Sequence, residues 1–270
     1  MKISLLLSLL ATLLVSATLS ANTTPFSQGR QLISAADYQV LSPRQRVEPE
    51  NRILNERLEK LLPQLMAESD LDMWLVINRE YAEDPVYFTL VPQPTFAARR
   101  TTMLLFSRLA DGTIEKLSVN RYPLGEPYTS AWAGGNLTEQ WQALAAEIVK
   151  RQPRSIGINS SEHWPVADGL TSGLHQQLLA ALPADYQSRL VSAEQLVVRW
   201  LEQRTRSELE IYPQIVSLAR AVIAEAFSNK VITPGVTSTD DVAWYLRERF
   251  EQLQLPVWFM PYVSLQRAGM

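Results

Sequence analysis

Hydrophobic and polar positions divide the chain into one long apolar block, an uneven polar stretch and a series of periodic segments. Ile3 to Val15 is almost unbroken in its apolarity. Asn51 to Ser69 places Ile53, Leu54, Leu58, Leu61, Leu62, Leu65 and Met66 at helical spacing, with charges over much of the other face. This predicts an amphipathic helix packed on a sheet, with Pro63 as a point of kinking. Met73 to Asn78 is a short continuous apolar run, the pattern of a strand buried on both faces. Thr101–Arg108 and Ile114–Val119 flank Asp111-Gly112, a strong hairpin signal. Leu137–Lys150 and Leu170–Leu182 predict helices, Ser155–Asn159 a strand, and Leu190–Leu196 a short strand and turn.

From Val197 the pattern is dominated by helices. Ser207 with Glu210 fits a capping box, and an apolar stripe follows from Leu209 to Phe227 with Pro213 in its first turns. Ile232 to Thr239 predicts a turn ending in a helix cap. Val242 to Leu253 predicts a second amphipathic helix, and the alternation over Pro256–Leu265 predicts a strand. The expected fold class is therefore α/β: a mixed sheet with helices on its faces over 50–196, followed by an α+β segment over 197–270.

Composition narrows the function. The chain has 270 residues, 46% hydrophobic and 20% charged, which excludes global disorder and allows one large domain or two modest ones. A net charge of −3 argues against a nucleic-acid partner, whose footprint would be basic. With no cysteine there is no disulfide, thiol nucleophile or cysteine metal site, and two histidines, His163 and His175, exclude a histidine-rich one.

The first 21 residues read as an address. Lys2, the apolar run and the small residues Ser16, Ala17, Ser20 and Ala21 have the three-part layout of a secretory signal peptide. A membrane anchor is the alternative, but the run is short of the roughly 20 apolar residues that a span needs. The expectation is export to a periplasmic or extracellular compartment, with no membrane contact after cleavage. Residues 22–49, with Ser42-Pro43, read as an extended arm. Sequons occur at Asn22, Asn136 and Asn159, and matter only in a glycosylating host.

No phosphate-cradling glycine loop or nucleophile elbow is present. Glu162-His163 is the only place where a histidine adjoins a carboxylate, and it also fits a loop histidine beside a packed Trp164. His175 fits a solvated or capping position on its helix. Asp240-Asp241 suit the first turn of a helix better than a metal site. The best local candidate is the long, proline-rich connection from Arg79 to Arg100. Its Arg79, Glu80, Tyr81, Asp84, Arg99 and Arg100 form a candidate interface or entrance loop. The alternative is an internal ion-pair network that closes the loop on its own domain.

The stretch REYAEDPVYFTLVPQPTFAARRTTMLLF from Arg79 resembles the N-terminal domain of the creatinase and Xaa-Pro aminopeptidase family. RTRSELEIYPQIVSLARAVIAEAFS from Arg204, then ITPGVTSTDDVAWYLRERFE and PVWFMPYVSLQRAG, are similar to the opening of that family's pita-bread metallopeptidase domain. The resemblance implies a creatinase-like N-terminal domain with a six-stranded mixed sheet, then an incomplete pita-bread domain. It also implies, for a full-length member, two divalent metal ions, commonly manganese, that activate water to hydrolyse peptide bonds next to proline. The partners that the resemblance implies are a peptide substrate and a second copy in a homodimer.

No catalytic or metal residue is transferred to this chain, because the family's ligands follow the segment matching Pro256–Leu265. Val197–Met270 supplies 74 residues, far fewer than such a domain takes. The expectation is a fragment, inactive alone. The second reading is a non-catalytic binding or dimerisation module built on the first domain.

Overall fold

The computed structural model describes residues 40–267. The predicted signal peptide, and the arm as far as residue 39, lie outside the described residues. From Pro43 the expected arm is helical instead. Ser42 and Gln45 form a reciprocal capping box and Pro43 occupies the first turn, where a missing N–H costs nothing. Helix α1 (Pro43–Glu56) runs through a π turn at Arg57–Leu61 into α2 (Leu62–Glu68). There Leu62 N–H reaches back five residues to the Arg57 carbonyl. Pro63, which has no N–H to offer the ladder, follows directly. The predicted kink is thus taken up as a widened turn.

Six strands form one mixed sheet in the order β4-β3-β2-β1-β5-β6. They are β1 (Met73–Arg79), β2 (Thr101–Arg108), β3 (Ile114–Asn120), β4 (Thr129–Ser130), β5 (Ile156–Ile158) and β6 (Leu190–Ser192). β1, β2 and β3 pair antiparallel; β1–β5, β5–β6 and β3–β4 pair parallel. The expected hairpin is present. Leu109 N donates to Thr113 O, Asp111 Oδ1 accepts from Thr113 N at 2.9 Å, and Gly112 supplies the left-handed φ of +85° that the turn requires.

The period-2 alternation of β1 sorts the core into two layers. Trp74 and Val76 face α1, α2 and α6 (Glu194–Glu202), where Trp74 stacks on Phe106 at 5.2 Å between centroids. Met73, Leu75 and Ile77 face α3 (Leu137–Arg151) and α4 (Ser172–Ala181). A short α5 (Ala184–Gln187) precedes β6. Where only a turn was expected after β6, α6 buries Leu196, Val197 and Trp200 against the sheet layer, so the predicted division after residue 196 falls inside a helix.

α7 (Arg206–Ala226) and α8 (Thr239–Gln252) enclose a small third cluster around Leu218, Val222 and Leu246. The cap of α7 is Thr205 with Glu208, not Ser207 with Glu210. Pro213 lies inside the helix. Ser238 and Asp241 cap α8. The predicted strand over Pro256–Leu265 does not form: the segment has no ladder partner and exposes Trp258, Phe259, Tyr262 and Leu265. Among the described residues, no helix is long and apolar enough to cross a membrane.

Candidate functional site

The Arg79–Arg100 connection leaves the carboxyl end of β1 and returns to the start of β2, so its two ends are held side by side. Arg79 pairs with Thr101 across the ladder, and Glu80 N donates to Arg100 O at 2.8 Å. Ala82 N bonds back to Arg79 O, a tight turn that puts Tyr81 at φ +69° with its side chain 95% exposed. Arg99 and Arg100 also occupy the left-handed region, at φ +43° and +67°. Three such non-glycine residues around one opening mark a backbone held in place by its surroundings.

The loop is not closed by ion pairs among the described residues. Glu80 Oε2 accepts from Arg100 N at 3.0 Å, and Glu83 Oε1 accepts from Ala98 N at 3.1 Å. These carboxylates are spent on backbone amides, and the Arg79 and Arg100 guanidiniums make no salt bridge among the described residues. The alternative of an internal ion-pair network is overturned by this arrangement.

Arg79, Glu80, Tyr81 and Arg100 line a cleft of about 400 Å³ together with Arg121, Trp132 and the start of α3. Arg121 Nη2 donates to Gly135 O at 2.6 Å. Buried Gln140 fixes the helix to the sheet by donating to both Thr101 O and Val119 O at 2.9 Å. Asn136, one of the sequons, caps α3 in a box with Glu139. Three arginines, Glu80 and Trp132 therefore line one opening. This arrangement suits an anionic group attached to an apolar body.

Two candidates do not reach this cleft. Arg99 turns away and lies over the Tyr122 ring at 4.6 Å. Asp84, only 1% exposed, joins a buried polar network instead. Its N–H donates to Asn78 Oδ1 at 2.9 Å, its Oδ1 accepts from Val86 N at 3.0 Å, and its Oδ2 accepts from Asn159 Nδ2 at 2.8 Å. Asn159 Oδ1 accepts from Trp74 Nε1 at 2.7 Å. Burial pushes the Asp84 carboxyl up, with the nearby Asp168 charge adding to the effect; the bonds from Val86 and Asn159 oppose it.

The network sits beyond the carboxyl ends of β1 and β5. Connections leave these strands in opposite directions, the switch point of an α/β sheet. Asn159, buried within the network, is unavailable as a glycan acceptor.

The remaining candidates fall elsewhere. His163 is exposed in a polar cleft with Ser161, Asp168 and Glu194, and Trp164 beside it is half exposed and not packed. His175 lies in the first turns of α4 and is half-buried. The Asp241 carboxylate accepts from Ser238 N at 2.8 Å and Ser238 Oγ at 2.7 Å, the helix-cap role. Among the described residues, no three histidine or acidic side chains gather as a metal site. The donor set present here does not fit the dinuclear centre that the sequence resemblance implies, so no chemical step is assigned to a metal.

No protein-family model matches the sequence, and no curated protein matches it. Among solved structures, the chain is similar to the Xaa-Pro dipeptidase from Bacillus anthracis. The two are 17% identical, with a TM-score of 0.46, over 73% of this chain and 49% of the other. This chain thus spans about half the length of that protein.

Proposed function

We propose that this chain is the substrate-entrance part of an exported peptidase of the Xaa-Pro aminopeptidase type, and that its arginine cleft engages the carboxylate end of a short peptide. In a longer form the peptidase would supply two divalent ions, manganese being expected, and cleave bonds next to proline. This chain by itself is expected to be inactive. The reading is supported by the order of the sequence motifs from Arg79 to Gly269. The single observation that carries the cleft's role is the convergence of Arg79, Arg100 and Arg121 beside Trp132. A peptide carboxylate can take paired N–H donors from a guanidinium, and an adjacent apolar side chain can lie along the indole.

Calorimetric titration of the purified chain tests this with an Xaa-Pro dipeptide and its C-terminal amide. The acid should bind and the amide should bind at least about tenfold more weakly, as expected when a charge-assisted hydrogen bond of about 1.5–3 kcal/mol is lost. Arg100→Ala and Arg121→Ala should each weaken the acid by a similar factor. Equal binding of acid and amide would count against the cleft. Manganese-dependent turnover by the chain alone would count against its inactivity.

The alternative function, a non-catalytic binding or dimerisation module, uses the same domain without chemistry. Sedimentation of the full chain separates the two: a concentration-dependent dimer that binds no peptide favours the module.

A further inference from the structure

The two ends of the sheet treat their charges differently. At the end where β1 begins the charges are paired: Asp72 with Arg108 and Arg154, and Arg151 with Glu115 and Glu147. The strand directions gather the finish of β1, β3, β5 and β6 and the start of β2 at the opposite end. There Arg79, Arg99, Arg100 and Arg121 flank β1, β2 and β3, while Glu162, Asp168 and Glu194 follow β5 and β6. None of these side chains makes an ion pair among the described residues.

These unpaired charges are also sorted by sign. On the β5–β6 side neutral groups hold the acids without neutralising them. Glu194 Oε2 accepts from Ser161 Oγ at 2.5 Å and Asp168 Oδ1 from Ser161 N at 3.2 Å, with His163 as the basic side chain beside them. On the arginine side Glu80 and Glu139 are the nearby acids, and they accept from the backbone amides of Arg100 and Asn136. Neighbouring strands lie about 4.8 Å apart, so the basic and acidic halves share a face about 19 Å wide from β3 to β6. Aromatic side chains stand out of both halves. Tyr81 is 95% and Phe96 76% exposed beside the arginines, and Trp164 is 49% exposed beside the acids. At about 150–250 Å² for a whole aromatic side chain, these three expose about 330–550 Å². That is over half of the roughly 600 Å² that each partner gives to a small specific interface.

We propose that this end of the sheet is a self-association surface. A second copy, turned about a two-fold axis, sets its acidic half on the basic half of the first and receives the reverse contact. A two-fold interface needs a patch that complements itself. A face with a positive and a negative half meets that need, whereas a face of one sign would repel its copy. The charges left unpaired within one chain then find partners on the other. Arg79, Arg100 and Arg121 also line the peptide cleft, so a peptide and a second copy compete for the same arginines.

Sedimentation equilibrium of the full chain, without peptide, tests this. The parent should form a reversible dimer. Its dissociation constant should rise at least about tenfold between about 0.01 M and about 1 M salt, as the Debye length falls from about 30 Å to about 3 Å. Arg99→Glu and Glu162→Arg change exposed residues, and each should weaken the dimer at least about tenfold by setting like charges together. An equimolar mixture of the two variants should recover the dimer, because each altered half then meets an altered half of opposite sign. The test contains no peptide, and Arg99 lies outside the cleft, so it stands or falls apart from the entrance reading. Three results each overturn the surface. One is a chain that stays monomeric up to about 1 mM. Another is a dimer that neither salt nor the reversals weaken, as an apolar contact through exposed Leu209 and Ile223 of α7 would give. The third is a mixture no more dimeric than its components.

Discussion

Asp84 Oδ2 lies 2.8 Å from Asn159 Nδ2, and this bond joins the centre of the long loop to the end of β5. Asn159 serves a second partner, because its other side-chain atom accepts from the Trp74 indole. Asn159→Ala should therefore orphan two buried polar groups at once. The expected cost is about 1–3 kcal/mol for each. Denaturant unfolding of the variant measures it, and a loss below about 0.5 kcal/mol, within the range of an ordinary surface change, would show that the network contributes little.

Gly169 gives an independent view of the same contact. A methyl group there meets the Asp84 carboxylate, so Gly169→Ala should destabilise the fold by about 1–3 kcal/mol through overpacking. In Asp84→Ala the colliding atoms are gone, and adding Gly169→Ala should then cost much less. The double-mutant cycle should show a coupling of at least about 0.5 kcal/mol. Additive effects would mean that the two positions are not in contact in solution.

Arg57 ties α1 to the start of α7. It is buried, lies over the Trp200 ring at 4.3 Å, donates to the Trp200 carbonyl and to Gln203 O, and pairs with Glu208 at 2.8 Å. Arg57→Ala should cost about 3–5 kcal/mol, the range for breaking one side of a buried pair. Arg57→Lys should recover little of it, since an ammonium has no planar fork to stack and bond at once. Thermal unfolding of both variants checks this, with full rescue by lysine as the contrary result.

Glu56 governs part of the acid response. Its carboxylate accepts from Ser207 N at 3.0 Å and pairs with Lys60, and the Ser207 bonds are the main reason its pKa falls from 4.5 to about 2. A carboxylate with a lowered native pKa adds stability above its unfolded value and loses it as pH falls through the native one. Stability should therefore decline between pH 4.5 and about 2. Asp72, held low by Arg154 and Arg108, adds to the same acid loss. Melting curves of Glu56→Gln should fall less steeply across that window. Parallel curves for variant and parent would remove Glu56 from the acid response.

Much of the sheet was legible along the chain because its signals are local. The apolar run of β1 and the Asp111-Gly112 turn each specify their own geometry. Signals that depend on distant partners misled. Two capping patterns overlap at Thr205 and Ser207, and the Thr205 register keeps Glu208 on both its cap and Arg57. The alternation over Pro256–Leu265 describes two faces but cannot supply a neighbouring strand. Helix α1 was obscured because Pro49 interrupts a segment whose Ser42–Gln45 cap was nonetheless in plain view.

The candidate loop was legible as a place, and its division of labour was not. Arg79, Glu80, Tyr81 and Arg100 meet in the cleft, while Asp84 turns inward and Arg99 stacks on Tyr122. Arg121 and Trp132 join the cleft only through the sheet edge and the approach to α3, so nothing near them in the chain announces the role. The sequon at Asn159 said nothing of the residue's burial, because a three-residue motif carries no such signal.

The most direct test of the entrance proposal is a backbone and side-chain NMR titration of the full chain with an Xaa-Pro dipeptide. Shifts should concentrate on Arg79, Tyr81, Arg100, Arg121, the Trp132 indole and the Gln140 amide, and should vanish with the C-terminal amide. Shifts confined to other surfaces, or none at concentrations that saturate the calorimetric titration, would contradict the assignment of this cleft to a peptide carboxylate.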